Sequence, residues 1–110
     1  MQNNNILITK ALRTAVGSLG KSLKNVPAPN LSAEIILSLL KNSNIKSEEI
    51  DEIILGQVLT GNAGQNPARQ AAIQAGLPKE FPAYMVNQVC GSGIRSIASG
   101  FQSIISGDSK

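Results

Sequence analysis

Residues 83–106 constrain this chain more than any other stretch. Ala83 to Val89 is an extended apolar run, and it ends at Cys90, the only cysteine present. Gly91 and Gly93 follow, and then an apolar-periodic helix begins. A strand that turns this abruptly into a helix belongs to α/β architecture. A thiol at a helix start faces unsatisfied backbone N–H groups and the positive end of the helix dipole. Both favour the thiolate, which is the nucleophilic form of sulfur. Glycines beside it leave room for a substrate carbonyl to approach the backbone. The arrangement predicts a nucleophile elbow, with Cys90 as the reactive atom's residue. A lone cysteine otherwise behaves as a small buried hydrophobe. The strand–turn–helix context and the two glycines favour the reactive reading.

The rest of the chain alternates in the same way. Ile6-Leu7-Ile8-Thr9 reads as a short buried strand after a polar leader. Lys10 to Pro29 reads as loop, with Gly17, Gly20, Pro27 and Pro29 inside it. Asn30 is the expected N-cap of an amphipathic helix over 31–42, because Leu31, Ile35, Ile36, Leu39 and Leu40 recur at helical spacing. Ser47-Glu48-Glu49 can start a single helical turn. Glu52 to Val58 predicts a second strand. Thr60 to Gln65 is a glycine-rich loop, after which Asn66 caps a helix that opens on Pro67. That helix covers Ala68 to Ala75, and Gly76 supplies its left-handed end. Ala83 to Val89 is the third strand.

The last helix runs from about Gly93 to Ser106 and stops at Gly107. Ile94, Ile97, Ala98, Phe101, Ile104 and Ile105 form its apolar stripe. Ser92, Ser96, Ser99, Gly100, Ser103 and Ser106 line the other face, where a surface helix carries charges. Such a helix is expected to be buried on most sides. In a βαβ pattern a strand should follow Gly107, so the chain reads as stopped in mid-domain. An uncovered stripe would favour association or aggregation. The fold class expected is therefore α/β, with a mixed or parallel sheet and an incomplete domain.

Composition excludes several function classes. The chain has 110 residues and no histidine, so neither Ser-His-Asp nor Cys-His catalysis exists within it alone. A histidine-ligated metal site is excluded too, and one cysteine cannot supply a thiolate cluster. The net charge is +3, with the basic residues spread along the chain, so nucleic-acid binding has little support. No apolar run reaches the roughly 18 residues of a membrane span. One cysteine forms no internal disulfide, and the N-terminus lacks the basic and apolar regions of a leader. A cytoplasmic protein is the expectation.

Three blocks now carry a resemblance. Arg13-Thr14-Ala15-Val16-Gly17-Ser18-Leu19-Gly20 is one, Gly64-Gln65-Asn66-Pro67-Ala68-Arg69-Gln70-Ala71-Ala72 with Ala75-Gly76-Leu77-Pro78 is the second, and Asn87-Gln88-Val89-Cys90-Gly91-Ser92-Gly93 is the third. In this order and spacing the chain resembles the thiolase family, the acetyl-CoA acetyltransferases, over almost its whole length. In the first block Ala15 stands where the family has proline and Leu19 where it has phenylalanine. The resemblance implies that residues 1–110 form part of a thiolase N-terminal domain. It implies that Cys90 attacks an acyl thioester and carries the acyl group covalently. Condensation with a second acyl-CoA, or release to CoA, would follow. No bound cofactor is expected, and acetyl-CoA and CoA enter as substrates.

The same resemblance implies what is missing. Family members are several times longer, and their activating histidine, second cysteine and CoA-binding loop lie in segments with no counterpart here. This chain alone is expected to be inactive as a thiolase. The partners implied are acyl-CoA, a second copy of the chain, or a complementing thiolase chain. Two other readings stand beside this one. One is a fragment of a β-ketoacyl-synthase-like condensing enzyme, against which the Gln65-Asn66-Pro67-Ala68-Arg69 block argues. The other is a non-catalytic remnant that binds a full-length thiolase subunit. Asn87 and Gln88 are candidates for positioning the Cys90 loop or for satisfying backbone groups there. Arg69 is a candidate partner contact or a solvated arginine. Arg95 would add positive potential near Cys90 or act only at the surface. Ser92 lacks the Gly-X-Ser-X-Gly spacing of a hydrolase nucleophile.

Overall fold

The computed structural model describes residues 5–110. Helix α1 spans Ala28–Ser43, and a single 3₁₀ turn covers Ser47–Glu49. Strand β1 is Ile53–Gly56, helix α2 is Pro67–Gln74, strand β2 is Ala83–Val86 and helix α3 is Ser92–Ser106. The two strands pair in parallel, with Ile53 opposite Ala83 and Gly56 opposite Val86. Parallel neighbours need a crossover, and α2 provides it. The α/β class and the alternation of elements match the sequence-based expectation.

Side chains on the strands alternate between two helical layers. Ile53, Leu55, Ala83 and Met85 face one way, where they meet Ala68, Ala72, Leu77 and Phe81, with Ile36 and Leu40 of α1 packed on the same cluster. Ile54, Gly56 and Tyr84 face α3. The position where a Cβ of Gly100 would stand is 3.8 Å from Ile54 Cδ1. Helix α2 fits between α1 and the sheet because its inner face is alanine: Ala68, Ala71, Ala72 and Ala75 are all buried. Its ends are as expected. Asn66 Oδ1 accepts from Arg69 N–H at 3.2 Å, Pro67 opens the helix, and Gly76 is left-handed at φ +76°.

Four expectations are corrected. Ile6–Thr9 forms no strand, and Leu7 and Ile8 are exposed. A strand exists only with a ladder partner, and this segment pairs with neither described strand; Thr9 and Lys10 lie instead along a groove of about 260 Å³ beside Ile36, Leu40 and Ile53. Helix α1 begins at Ala28 and not after Asn30, and no side chain caps it. Pro29 sits in its first turn, where a missing N–H is harmless and the fixed φ is already helical. The strands are shorter than 52–58 and 83–89. Gln57 N–H still donates to Val86 C=O at 3.2 Å, but at the next step Asn87 Nδ2 donates to Val58 C=O at 3.0 Å and the ladder ends.

The fourth correction concerns α3. It is not buried on most sides. Its small-residue face is the inner one, and its apolar stripe looks outward. Ile94, Ile97, Phe101 and Ile105 are 73%, 55%, 49% and 65% exposed. Ser92, Ser96, Ser99, Gly100 and Ser103 turn toward the sheet because a flat, close contact needs small side chains. The exposed stripe expected from the sequence is therefore present. No helix among the described residues is long and apolar enough to cross a membrane.

Two outcomes follow from this packing. In sedimentation velocity the 110-residue chain is expected to self-associate, and Ile97→Glu with Phe101→Glu to shift it toward monomer; a monodisperse parent monomer would contradict this. A Cβ on Gly56 would stand 2.4 Å from the backbone carbon and oxygen of Ser92. Backbone cannot swing aside as a long side chain can. Gly56→Ala should lower unfolding free energy in urea by about 1–3 kcal/mol.

Candidate active site

The chain leaves β2 at Val86 and enters α3 at Ser92, and Cys90 lies between them. Gly91 is the N-cap, so the thiol stands one residue before the cap and not inside the first turn. Cys90 is a free, exposed cysteine. It is not the small core hydrophobe that a lone cysteine often is.

Six residues shape the turn. Asn87 Oδ1 accepts from Val89 N–H at 2.9 Å. Asn87 Nδ2 reaches across to Val58 C=O, which ties the turn to the loop after β1. Ser92 Oγ donates to Val89 C=O at 2.6 Å and accepts from Gln88 N–H at 2.9 Å. Gly91 N–H donates to Gln88 C=O at 2.9 Å, and Ser92 N–H to Val89 C=O at 3.1 Å. Val89 is left-handed, with φ +49°. Cys90 is not among the residues with positive φ. The backbone outlier of this elbow is therefore the residue before the nucleophile candidate, a difference from the hydrolase pattern, in which the nucleophile itself occupies the strained turn.

The two glycines differ. A Cβ at Gly91 would meet Gln88 carbonyl oxygen at 3.3 Å, while one at Gly93 would meet nothing within 4 Å. Space for an incoming group lies over Gly93. The grooves between α1 and β1 and along the 62–64 loop do not include Cys90. Farther back on β2, the Tyr84 phenol is pushed above its ordinary value, first by desolvation and then by the Glu52 carboxylate, so it stays protonated and neutral.

Other sequence candidates fall into place. Asn87 and Ser92 are brought to the Cys90 turn, Asn87 as expected and Ser92 as a buried brace, 4% exposed, with its hydroxyl fully engaged. Gln88 contributes only its backbone groups there. Arg95 is exposed on α3. Arg69 is half-buried and its guanidinium is engaged: Nη1 donates to Phe81 C=O at 2.6 Å, and Nη2 donates to Lys79 C=O. It holds the 79–82 loop that feeds β2. Gln70, not singled out from the sequence, fastens the glycine-rich loop by donating to Ala63 C=O at 2.7 Å and Gln65 C=O at 2.8 Å. The bracing role of Ser92 had one readable sign: a hydroxyl two residues past the turn cysteine, at the first position of the helix.

This strand–cysteine–helix unit, carried on a small parallel sheet between helical layers, marks an α/β protein with a thiol presented at a helix start. Residues 6–110 match the family described as Thiolase, N-terminal domain. An acetyl-CoA acetyltransferase of Cupriavidus necator is 49% identical over 105 residues, which is 96% of this chain and 27% of that protein. One from Chromobacterium violaceum is 52% identical over 94% of this chain and 26% of its own length. A probable acetyl-CoA acyltransferase of Staphylococcus aureus is 46% identical, again over 94% of this chain and 26% of its own length. The chain belongs to the thiolase family. It spans about a quarter of the length of the curated relatives it matches. Of the two condensing-enzyme families weighed on the sequence, the match is to the thiolases.

An exposed thiol should be titratable in the native state. Ellman's reagent without denaturant is expected to release one equivalent of chromophore per chain, and none from Cys90→Ser. A thiol that reacts only in denaturant would contradict the exposed geometry.

Proposed function

We propose that this chain is the N-terminal part of a thiolase-type acyltransferase and that Cys90 is its acyl-carrying nucleophile. The observation that carries the proposal is the exposed thiol of Cys90 at the entrance of α3, inside the segment that matches the family. In the half-reaction, Cys90 Sγ attacks the carbonyl carbon of acetyl-CoA. A new carbon–sulfur bond forms, the bond to the CoA sulfur breaks, and the thiol proton ends on CoA. A thioester is exchanged for a thioester, so the step is close to balanced in energy and splits a harder transfer in two.

The second half needs an acid–base group that this chain does not contain, since it has no histidine and no second cysteine. A polypeptide supplying the remainder of the thiolase fold would bring that group. The uncovered stripe of α3 supports this reading: Ile94, Ile97, Phe101 and Ile105 form an apolar strip of the kind that packs against further structure. Acyl-CoA is the proposed substrate, the cytoplasm the proposed compartment, and thiolase polypeptide, in the same or another copy, the proposed partner.

Intact-mass measurement after incubation with acetyl-CoA tests the nucleophile. An acetyl adduct is expected on the parent chain and not on Cys90→Ser. A folded chain, shown by circular dichroism, that gains no adduct would instead support the second reading, a non-catalytic remnant that docks on a thiolase subunit through α3.

A further inference from the structure

We infer that Asn87 and Ser92 act as a two-sided clamp on Val89, and that this clamp, more than the glycines, fixes the direction of Cys90. The inference rests on the reading of Cys90 as nucleophile. Both peptide groups flanking Val89 are held by side chains. Its N–H is bound by Asn87 Oδ1 at 2.9 Å, and its C=O by Ser92 Oγ at 2.6 Å. Ser92 Oγ also takes Gln88 N–H at 2.9 Å, so one hydroxyl grips the turn on both sides of the residue. Each brace is anchored outside the turn. Asn87 is tied to Val58 C=O, and Ser92 is buried at the contact of α3 with Gly56.

The clamp has work to do because of what it holds. Val89 has φ +49°, and its side chain is largely exposed, so no packing of its own explains that conformation. A β-branched residue at positive φ is a genuine outlier. Left to itself, Val89 would return to negative φ. Such a change in one residue would swing the next Cα–Cβ bond, which is that of Cys90. Asn87 and Ser92 are accordingly positioning residues: they act on the thiol through Val89.

Glycine gives the test its sharpness, since it occupies the left-handed region at no steric cost. The rate of Cys90 alkylation by iodoacetamide is measured on the folded 110-residue chain, alongside acetyl adduct formation. Ser92→Ala and Asn87→Ala are each expected to change the alkylation rate at least about fivefold, and adding Val89→Gly to bring it back to within about twofold of Val89→Gly alone. A hydroxyl that merely stabilised the fold would not be rescued by a neighbouring glycine. Rates within twofold of parent in both single variants, or no rescue, would overturn the clamp. Should the alanine variants fail to fold, Val89→Gly alone decides: an unchanged or raised Tm is expected, and a fall of more than about 5 °C would show that no strain was held there. Iodoacetamide needs no acyl chemistry. Loss of acetyl adduct with an intact alkylation pattern would therefore sink the nucleophile reading and leave the clamp standing.

Discussion

The structure depends on how closely the start of α3 lies against β1. Gly56 faces the backbone of Ser92 with no room for a Cβ between them. That contact fixes where α3 begins, and where α3 begins fixes the turn that carries Cys90. It also explains the serines and the glycine along the inner face of α3. A helix seated this near a sheet cannot carry large side chains on the seated face. Ile94, Ile97, Phe101 and Ile105 consequently stand on the outer face.

The same geometry links the seat of the helix to the turn. Ser92 serves both at once. Its backbone abuts the sheet, while its hydroxyl bonds two peptide groups of the turn. Burial of such a hydroxyl is tolerated because its bonds are satisfied on both sides. Asn87 does the equivalent at the other end, replacing the ladder with a side-chain bond to Val58 C=O. The sheet ends there because the next residues are committed to the turn.

Much of this was legible from the residues. Asn66, Pro67 and Gly76 marked the bounds of α2, since each has a local chemical reason to stand where it does. Cys90 and its glycines marked the candidate site, and three motif blocks marked the family. The misreadings share one cause. Ile6–Thr9 has the composition of a strand, but pairing is a property of two segments and periodicity describes only one. On α3 the two faces and the uncovered stripe were identified correctly, but the helix was expected to be buried on most sides and is not. Hydrophobic periodicity locates a face that avoids water, and it does not say whether the described structure supplies a cover. The turn at Val89 was illegible for another reason: valine gives no hint of positive φ, and only the two flanking side chains make it tenable.

The outward stripe of α3 is best understood through its alternative. Had the helix been rotated to bury Ile97 and Phe101 against β1, the sheet would have been pushed away by the width of a large side chain. Gly56 and Gly100 would then have had no close neighbour. A buried stripe and the close contact of Gly56 with Ser92 are thus mutually exclusive on this sheet. The helix keeps that contact and leaves about half or more of Ile94, Ile97, Phe101 and Ile105 in solvent. The close seat of α3 on β1 and the outward direction of Ile94, Ile97, Phe101 and Ile105 are two consequences of one packing decision.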